Sequence, residues 1–204
     1  MSKTAKIAVL VSGGGTNLQA LIDAEKSGKI KSGKIDLVVS NKEGAYALQR
    51  AKDNGIKTAV VTRKSCKDQA EFENRIKELL TDAGIDLIVL AGFMAILSAD
   101  FTRAFEGRII NVHPSLIPSF CGKGFYGLHV HEAALAYGVK VTGATVHYVN
   151  EVPDGGEIIL QRAVRIRESD TPETLQARVM REAEWKILPL AAEKVCKKLL
   201  KEKR

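Results

Sequence analysis

Short apolar runs alternate with longer amphipathic segments over the first half of the chain. The first run, at 6–11, contains IAVLV, which suits a strand covered on both faces, and a helical pattern follows at about 17–25. This alternation is typical of βαβ units and predicts a largely parallel sheet flanked by helices. Further strands are predicted in the same way, each preceded by a helical segment, at 34–40, 58–62, 87–91 and 108–112.

The pattern changes after residue 112. The stretch 113–127 is punctuated by Pro and Gly and is long for a loop, and loops of that length in compact domains are usually functional. A helix and two strands are predicted to follow, at 130–137, 142–149 and 157–164. The short connection between the two strands predicts a hairpin, and therefore antiparallel strands at one edge of the sheet.

The C-terminal part is predicted to be helical. Thr171 is a typical N-cap residue with Pro172 at the first helical position. Pro189 is expected to kink or interrupt this helix before a basic helical tail at about 190–204. The whole chain, 1–204, is predicted to form one α/β domain, because 204 residues are enough for a sizeable core but few for two domains.

Composition and charge exclude several classes of protein. The apolar runs are shorter than the roughly 18 residues of a spanning helix, and 1–7 lacks the apolar core of a signal peptide, so we expect a cytoplasmic protein without membrane attachment. The net charge is +7, but 197–204 alone carries five cations and one acid. Aromatic residues make up only 5%, with no basic stretch interleaved among them. We interpret the tail as solvated and expect no nucleic-acid partner.

A metal site is not expected. Cys66, Cys121 and Cys196 are far apart and form no Cys-x-x-Cys pair, which predicts reduced thiols rather than a zinc–thiolate site. His129 and His131 have no acid or cysteine at ligand spacing.

The first candidate for chemistry is SGGGTN at 12–17, between the first strand and the first helix. Glycines there let backbone N–H groups approach an anion at a helix N-terminus, and Thr16 and Asn17 can add donors. The segment lacks the Gly-Lys-Ser/Thr of a Walker loop, and Leu18 stands where a dinucleotide fingerprint needs its third glycine. A single phosphate is the preferred ligand, and a tight turn without ligand is the alternative.

The second candidate is Asn111 with His113, at the carboxyl end of a predicted strand, where ligands bind in open α/β sheets. Residues two apart on a strand face the same side, so an amide donor and a titratable imidazole would meet at one site. A third candidate is Asp154 in the hairpin connection, although Asp-Gly also serves turns for backbone reasons alone.

Taken together, these segments resemble the family of folate-dependent phosphoribosylglycinamide formyltransferases of purine synthesis. The resemblance runs almost from end to end, on KIAVLVSGGGTNLQALI, VVSNKEGAYALQRAKDNGI, LIVLAGFMAILS, RIINVHPSLIPSF, GLHVHEAAL, TGATVHYV and DGGEIILQ. It implies a Rossmann-like, mostly parallel sheet and transfer of a formyl group from the co-substrate 10-formyltetrahydrofolate to the amine of glycinamide ribonucleotide. It also implies small-molecule substrates and no metal, and leaves open whether the protein is a monomer or a homodimer.

The resemblance assigns roles to the residues that match the family's motifs. The matches to its catalytic Asn, His and Asp are Asn111, His113 and Asp154. The matches on the nucleotide side, for the phosphate and a further contact, are Gly15, Thr16, Asn17 and Glu184. The folate side is matched by Met94, Ala95, Ile96, Leu97, Asn111 and Gln69. By this resemblance Asn111 and a protonated His113 donate to the formyl oxygen, and Asp154 orients the imidazole and favours its protonated form.

The sequence departs from the family's pattern at the folate side. Ala95 stands where some family members carry Arg, and Gln69 stands where an Arg commonly helps to bind folate. Both losses weaken the electrostatic contact with the anionic end of folate. The loop CGKGFYG at 121–127 is longer than usual, and we expect it to act as a lid or to supply a cation from Lys123.

Two other functions are considered. A deformylase usually has an additional N-terminal domain and a methionyl-tRNA formyltransferase a C-terminal one, whereas here the first strand is predicted from residue 6 and the chain ends soon after the helix at Pro172. A non-catalytic nucleotide-binding module that uses only the glycine loop would leave Asn111, His113 and Asp154 without a role.

Overall fold

A computed structural model describes residues 4–203 and contains one seven-stranded sheet with the strand order β3-β2-β1-β4-β5-β6-β7. The strands are β1 (Ala5–Val11), β2 (Gly33–Ser40), β3 (Lys57–Val60), β4 (Leu87–Leu90), β5 (Ile109–His113), β6 (Val141–Tyr148) and β7 (Ile158–Arg165). The first five pair in parallel, whereas β6 and β7 pair antiparallel. The predicted mostly parallel sheet with antiparallel edge strands is confirmed.

Helices cover both faces of the sheet. They are α1 (Thr16–Lys26), α2 (Tyr46–Asp53), α3 (Gln69–Asp82), α4 (Ala99–Ala104), α5 (Leu128–Tyr137), α6 (Pro172–Val179) and α7 (Trp185–Glu202), with a short 3₁₀ turn at Arg63–Ser65 and a π-helical turn at Met180–Glu184. Alternate side chains of β1 point to opposite faces of the sheet and pack in two separate core layers. Ile7 and Val9 pack with α1 and α7, whereas Ala8 and Leu10 pack with α3 and α4.

The strand order places the ends of several strands around one crevice. β1 lies between β2 and β4, so the chain runs outward in one direction through β3 and then returns to build the other half of the sheet. Loops that follow strands on either side of such a reversal diverge and leave a crevice at the carboxyl edge. The glycine loop follows β1 and the folate-matching segment follows β4, so both border this crevice.

The predicted start of the C-terminal helix is confirmed, but its predicted interruption is not at Pro189. Thr171 caps α6 through the N–H of Thr174 at 3.3 Å. The irregular turn is Met180–Glu184, and α7 continues through Pro189. A proline cannot donate to the carbonyl four residues before it. Here that carbonyl belongs to Trp185, at the junction with the π turn, where the regular ladder of hydrogen bonds is already broken.

The basic tail is not a separate solvated element. Ala191, Val195, Cys196 and Leu199 are buried against the sheet, while the lysines at 197, 198, 201 and 203 are exposed on the outer side of α7. The apolar positions recur with helical spacing among the lysines, which is why the segment packs instead of standing in solvent. Within residues 4–203, no helix is long and apolar enough to cross a membrane.

Candidate active site

Three side chains that the sequence singles out converge at the carboxyl end of β5. Asn111 and His113 are two residues apart on this strand and therefore face the same side. Asp154, from the connection between β6 and β7, faces both of them. Its Oδ2 is 3.4 Å from His113 Nδ1, and its Oδ1 is 3.4 Å from Asn111 Nδ2. The three residues form one cluster although 40 residues of sequence lie between His113 and Asp154.

A fourth polar side chain, His147, belongs to this cluster and was not predicted. Antiparallel pairing sets it directly opposite Asn111. Its Nδ1–H donates to the Tyr148 carbonyl at 2.7 Å, and its Nε2 lies 3.2 Å from Asn111 Nδ2. Nε2 is also 3.5 Å from Asp154 Oδ1. The register of the two strands was the signal that could have identified this residue.

Burial dominates the electrostatics of the cluster. It lowers the pKa of His113, and the charge of Asp154 and the Phe120 carbonyl oppose this only in part. Burial alone would raise the pKa of Asp154. The hydrogen bond with His147, the charge of His113 and the N–H of Gly122 together hold this pKa below its usual value. The expectation that Asp154 favours protonated His113 is correct for that single interaction. The net shift of the His113 pKa is nevertheless downward, because desolvation of the ring outweighs the charge of Asp154.

The long loop after β5 contacts the cluster through its backbone. The Phe120 carbonyl lies 2.9 Å from His113 Nε2, and the Gly122 N–H donates to Asp154 Oδ2 at 2.9 Å. Phe120 has a φ of 50°, in the left-handed region that few non-glycine residues adopt. The loop backbone therefore contacts both members of the His113–Asp154 pair. Lys123 is exposed.

The glycine loop and Glu184 meet on the nucleotide side of the crevice. Gly15 is left-handed, with a φ of 72°, and Thr16 begins α1. Asn17 Nδ2 donates to Glu184 Oε2 at 2.7 Å, which joins the start of α1 to the π turn before α7. Burial raises the pKa of Glu184 to about 7, and the Asn17 hydrogen bond opposes this only in part. The Asn17 side chain, predicted as a donor to the phosphate, thus donates to Glu184 in this structure.

A cavity of about 150 Å³ opens next to the cluster. Residues 90–97 form part of its lining, including Ala95, Ile96 and Leu97, and 147–154 form another part, with Asn111 beside them. Met94 does not line it: its side chain is half-exposed. This places three of the four predicted folate-segment residues at the cavity.

Two backbone contacts hold the segment after β4 in place. The Met94 N–H donates to Ser12 Oγ at 2.8 Å, and the Gln69 amide donates to the Ile96 carbonyl at 3.2 Å and to Glu73 Oε1 at 2.8 Å. Gln69 therefore supports the cavity wall from the start of α3 rather than lining the cavity.

The two histidines of the His129-Val130-His131 segment do not share a site. His129 is exposed and contacts Glu132 at 2.9 Å, whereas His131 is fully buried. Burial, and to a smaller extent the charge of His113, lowers the pKa of His131 to about 4. Across residues 4–203, no three His, Cys, Asp or Glu side chains are arranged so that they could hold a metal ion.

Similar proteins are found in sequence and in structure. The family model described as formyl transferase matches residues 5–192. A phosphoribosylglycinamide formyltransferase from Haemophilus influenzae is 48% identical over 185 residues, which are 91% of this chain and 84% of that protein. The crystal structure of glycinamide ribonucleotide transformylase 1 from Symbiobacterium toebii superposes with a TM-score of 0.89 at 39% identity, covering 95% of this chain and 88% of the other.

A human relative is much longer than this chain. The trifunctional purine biosynthetic protein adenosine-3 is 47% identical over 193 residues, which are 95% of this chain but only 18% of the human protein. The similarity thus concerns one part of that protein. Since the family model covers most of the chain and the Haemophilus relative is matched over most of its own length, the chain belongs to the formyl transferase family.

Proposed function

We propose that this chain transfers the formyl group of 10-formyltetrahydrofolate to the amine of glycinamide ribonucleotide, giving N-formylglycinamide ribonucleotide and tetrahydrofolate. The observation that carries the proposal is the convergence of Asn111, His113 and Asp154 beside a cavity with apolar walls, in the same crevice as the glycine loop. A formyl donor and a phosphorylated amine would meet at this edge of the sheet. The relatives named as phosphoribosylglycinamide formyltransferases support the same reaction.

The cavity suits one end of a folate rather than the whole molecule. Its volume of about 150 Å³ is below the roughly 300–1,000 Å³ of pockets that enclose drug-sized ligands. Phe93, Leu97, Val149 and Val152 supply apolar surface for a flat ring, and Asn111 adds a polar group beside them. The anionic tail would then extend outward, past Ala95 and the segment that Gln69 supports.

Asn111 and His113 would stabilise the oxygen on which negative charge develops. As the amine nitrogen bonds to the formyl carbon, the carbonyl oxygen gains negative charge, and one well-placed donor is worth about 10² to 10³ in kcat. In this structure Asn111 Nδ2 faces His147 and Asp154, and His113 Nε2 faces the Phe120 carbonyl. The formyl group must replace the Phe120 contact and the longer of the two Asn111 contacts.

Asp154 would let the buried His113 ring accept a proton during the reaction. Burial disfavours the imidazolium, and the carboxylate at 3.4 Å is the principal group that opposes it. His113, directly or through water, would move a proton from the attacking amine to the folate nitrogen as the bond between that nitrogen and the formyl carbon breaks.

On the nucleotide side, the backbone N–H groups of the glycine loop would bind the phosphate, and Glu184 would contact the remainder of the nucleotide. Replacing Thr16 and Asn17 together with Ala should raise KM for glycinamide ribonucleotide and leave KM for the folate nearly unchanged. Equal weakening of both substrates would contradict this assignment of the loop.

The decisive assay incubates the protein with 10-formyltetrahydrofolate, with and without glycinamide ribonucleotide, and follows the release of tetrahydrofolate. Release that depends on the amine and yields formylated nucleotide supports the proposal. Release at a similar rate without the amine identifies a deformylase, and nucleotide binding without release identifies a non-catalytic module. A cytoplasmic location and the absence of a nucleic-acid partner remain predictions from the sequence.

A further inference from the structure

Helix α2 holds two successive carbonyl groups of the glycine loop. The Ala47 N–H donates to the Gly13 carbonyl at 3.0 Å, and the Arg50 Nε–H donates to the Gly14 carbonyl at 2.8 Å. In a trans peptide the carbonyl of one residue and the N–H of the next point in opposite directions. The N–H groups of Gly14 and Gly15 therefore point away from α2, towards the open side of the loop. Within residues 4–203, neither has a hydrogen-bond acceptor.

Arg50 is itself fixed from two sides. Its Nη1–H donates to Gln19 Oε1 on α1 at 3.1 Å, and its guanidinium lies over the Tyr46 ring, 5.0 Å from the centroid. Gln19 is held in turn by Asp23, four residues further along the helix, at 2.9 Å. One planar side chain thus connects the glycine loop to the first turns of both α1 and α2.

The loop is pressed closely against α2. A Cβ built on Gly15 would lie 2.6 Å from Ala47 Cβ and 3.5 Å from Arg50 Cδ. Since there is no space for even one more carbon at Gly15, the backbone of the loop has little room to shift towards the helix. The carbonyl groups are therefore the part of the loop that α2 controls, and the N–H groups are the part that remains available to a ligand.

Arg50 also keeps its positive charge near the loop. Among the described residues it has no carboxylate partner within 4.0 Å, and its side chain is half-buried. A guanidinium donates in fixed planar directions, whereas an ammonium acts as a point charge on a flexible stem. The planar guanidinium makes the bridge between the Gly14 carbonyl and the Gln19 amide oxygen in one fixed geometry.

We propose that Arg50 is a positioning residue for the substrate phosphate: by holding the Gly14 carbonyl, it aims the Gly15 N–H at the anion. The proposal rests on the function proposed above and adds a residue that acts on the phosphate through the backbone of the loop. Two of the five N–H donors of Arg50, its Nε–H and one Nη–H, are used by the loop and by α1, so its role in this arrangement is to hold the loop.

The test compares Arg50→Met and Arg50→Lys with the wild type. Loss of one charge-assisted contact to a phosphate typically costs about 10-fold to 100-fold in affinity, so KM for glycinamide ribonucleotide should rise by at least about 10-fold in both variants. KM for the folate should stay within about twofold, and a substrate analogue that lacks the phosphate should show no difference between variants and wild type. Lys52→Met is the matched control, since it removes an exposed cation from the same helix.

Three results would overturn the proposal: an unchanged nucleotide KM in Arg50→Met, an equal rise in both KM values, or wild-type behaviour of Arg50→Lys. The last result would mean that the charge alone matters. Thermal melts of each variant show whether it is folded.

A second measurement is independent of catalysis. Titration of ¹⁵N-labelled protein with inorganic phosphate should shift the Gly14 and Gly15 amide resonances in the wild type and in Lys52→Met, but much less in Arg50→Met. If the wild type fails to formylate the nucleotide yet shows this pattern, the proposed function fails and the role of Arg50 stands. If the wild type formylates the nucleotide and Arg50→Met responds to phosphate as the wild type does, only the role of Arg50 fails.

Discussion

Replacing Glu184 with Gln would measure how much stability is lost by keeping an ionisable carboxyl on the nucleotide side of the crevice. The side chain is only 5% exposed, and burial raises its pKa from the ordinary 4.5 to about 7. In the unfolded chain the carboxyl has its ordinary pKa. Between about pH 4.5 and 7, the folded protein therefore holds a proton that the unfolded chain has already lost, and the stability of the wild type falls as the pH rises.

The magnitude follows from the two pKa values. Their difference, at about 1.4 kcal/mol per pKa unit, amounts to about 3 kcal/mol. Glutamine is neutral at every pH and keeps an oxygen that can accept from Asn17 Nδ2. Glu184→Gln should therefore be more stable than the wild type by up to about 3 kcal/mol at pH 8, or roughly 6–12 °C in Tm for a chain of this size. The two proteins should converge towards pH 4.5.

Glu193→Gln is the matched control, because this buried carboxylate has the opposite shift. Burial alone would raise the pKa of Glu193, but the N–H groups of Lys31 and Ser32, at 2.9 and 2.8 Å, and the nearby Lys197 hold it below its usual value. Its contribution to stability is present above the unfolded pKa and is lost as the pH falls through the folded one. Glu193→Gln should therefore be destabilised at neutral pH, with a deficit that shrinks in acid.

Urea denaturation of all three proteins between pH 4.5 and 8 gives the comparison. A difference between Glu184→Gln and the wild type that does not change with pH would refute the reasoning. A slope of the same sign as that of Glu193→Gln would also refute it.

The remaining predictions concern the other parts of the site. Gly15→Ala should destabilise the fold by more than about 1–2 kcal/mol, the ordinary cost of a non-glycine residue in the left-handed region, because the added Cβ also meets α2. Gly14→Ala adds a Cβ in open space and should change stability little. Equal melting temperatures for the two variants would contradict this. Asp154→Asn should lower the pKa of His113 further, so the loss in kcat should be larger at alkaline than at mildly acidic pH. Adding Asp154→Asn to His113→Ala should cost little more, and fully additive losses would show that the two act independently. Gln69→Arg should tighten binding of a polyglutamylated folate in a salt-dependent way, and an unchanged affinity at low ionic strength would mean that another cation already serves the tail.

The sequence predicts the sheet and much of the site because both depend on local patterns. Apolar runs covered on both faces indicate buried parallel strands, and polar residues directly after such strands indicate the functional edge. His147 could not be found in this way, since its place opposite Asn111 follows from the register of two strands and not from either strand alone. The Phe120 carbonyl and the Gly122 N–H have no side-chain signal, because every residue carries such groups. Pro189 was misjudged because its effect depends on the π turn that precedes it.

Helix α7 follows every other element in the sequence, yet it packs against β1, β2 and β4, which are made early. Its buried side chains, among them Ala192, Val195 and Cys196, complete the core layer over the first strands. While the ribosome adds about 5–20 residues per second, that apolar face stays uncovered for roughly 10–40 s. The nascent chain should therefore be a substrate for chaperones and proteases until α7 has emerged, and substitutions in α7 should reduce the yield of folded protein more strongly than the activity of the molecules that do fold.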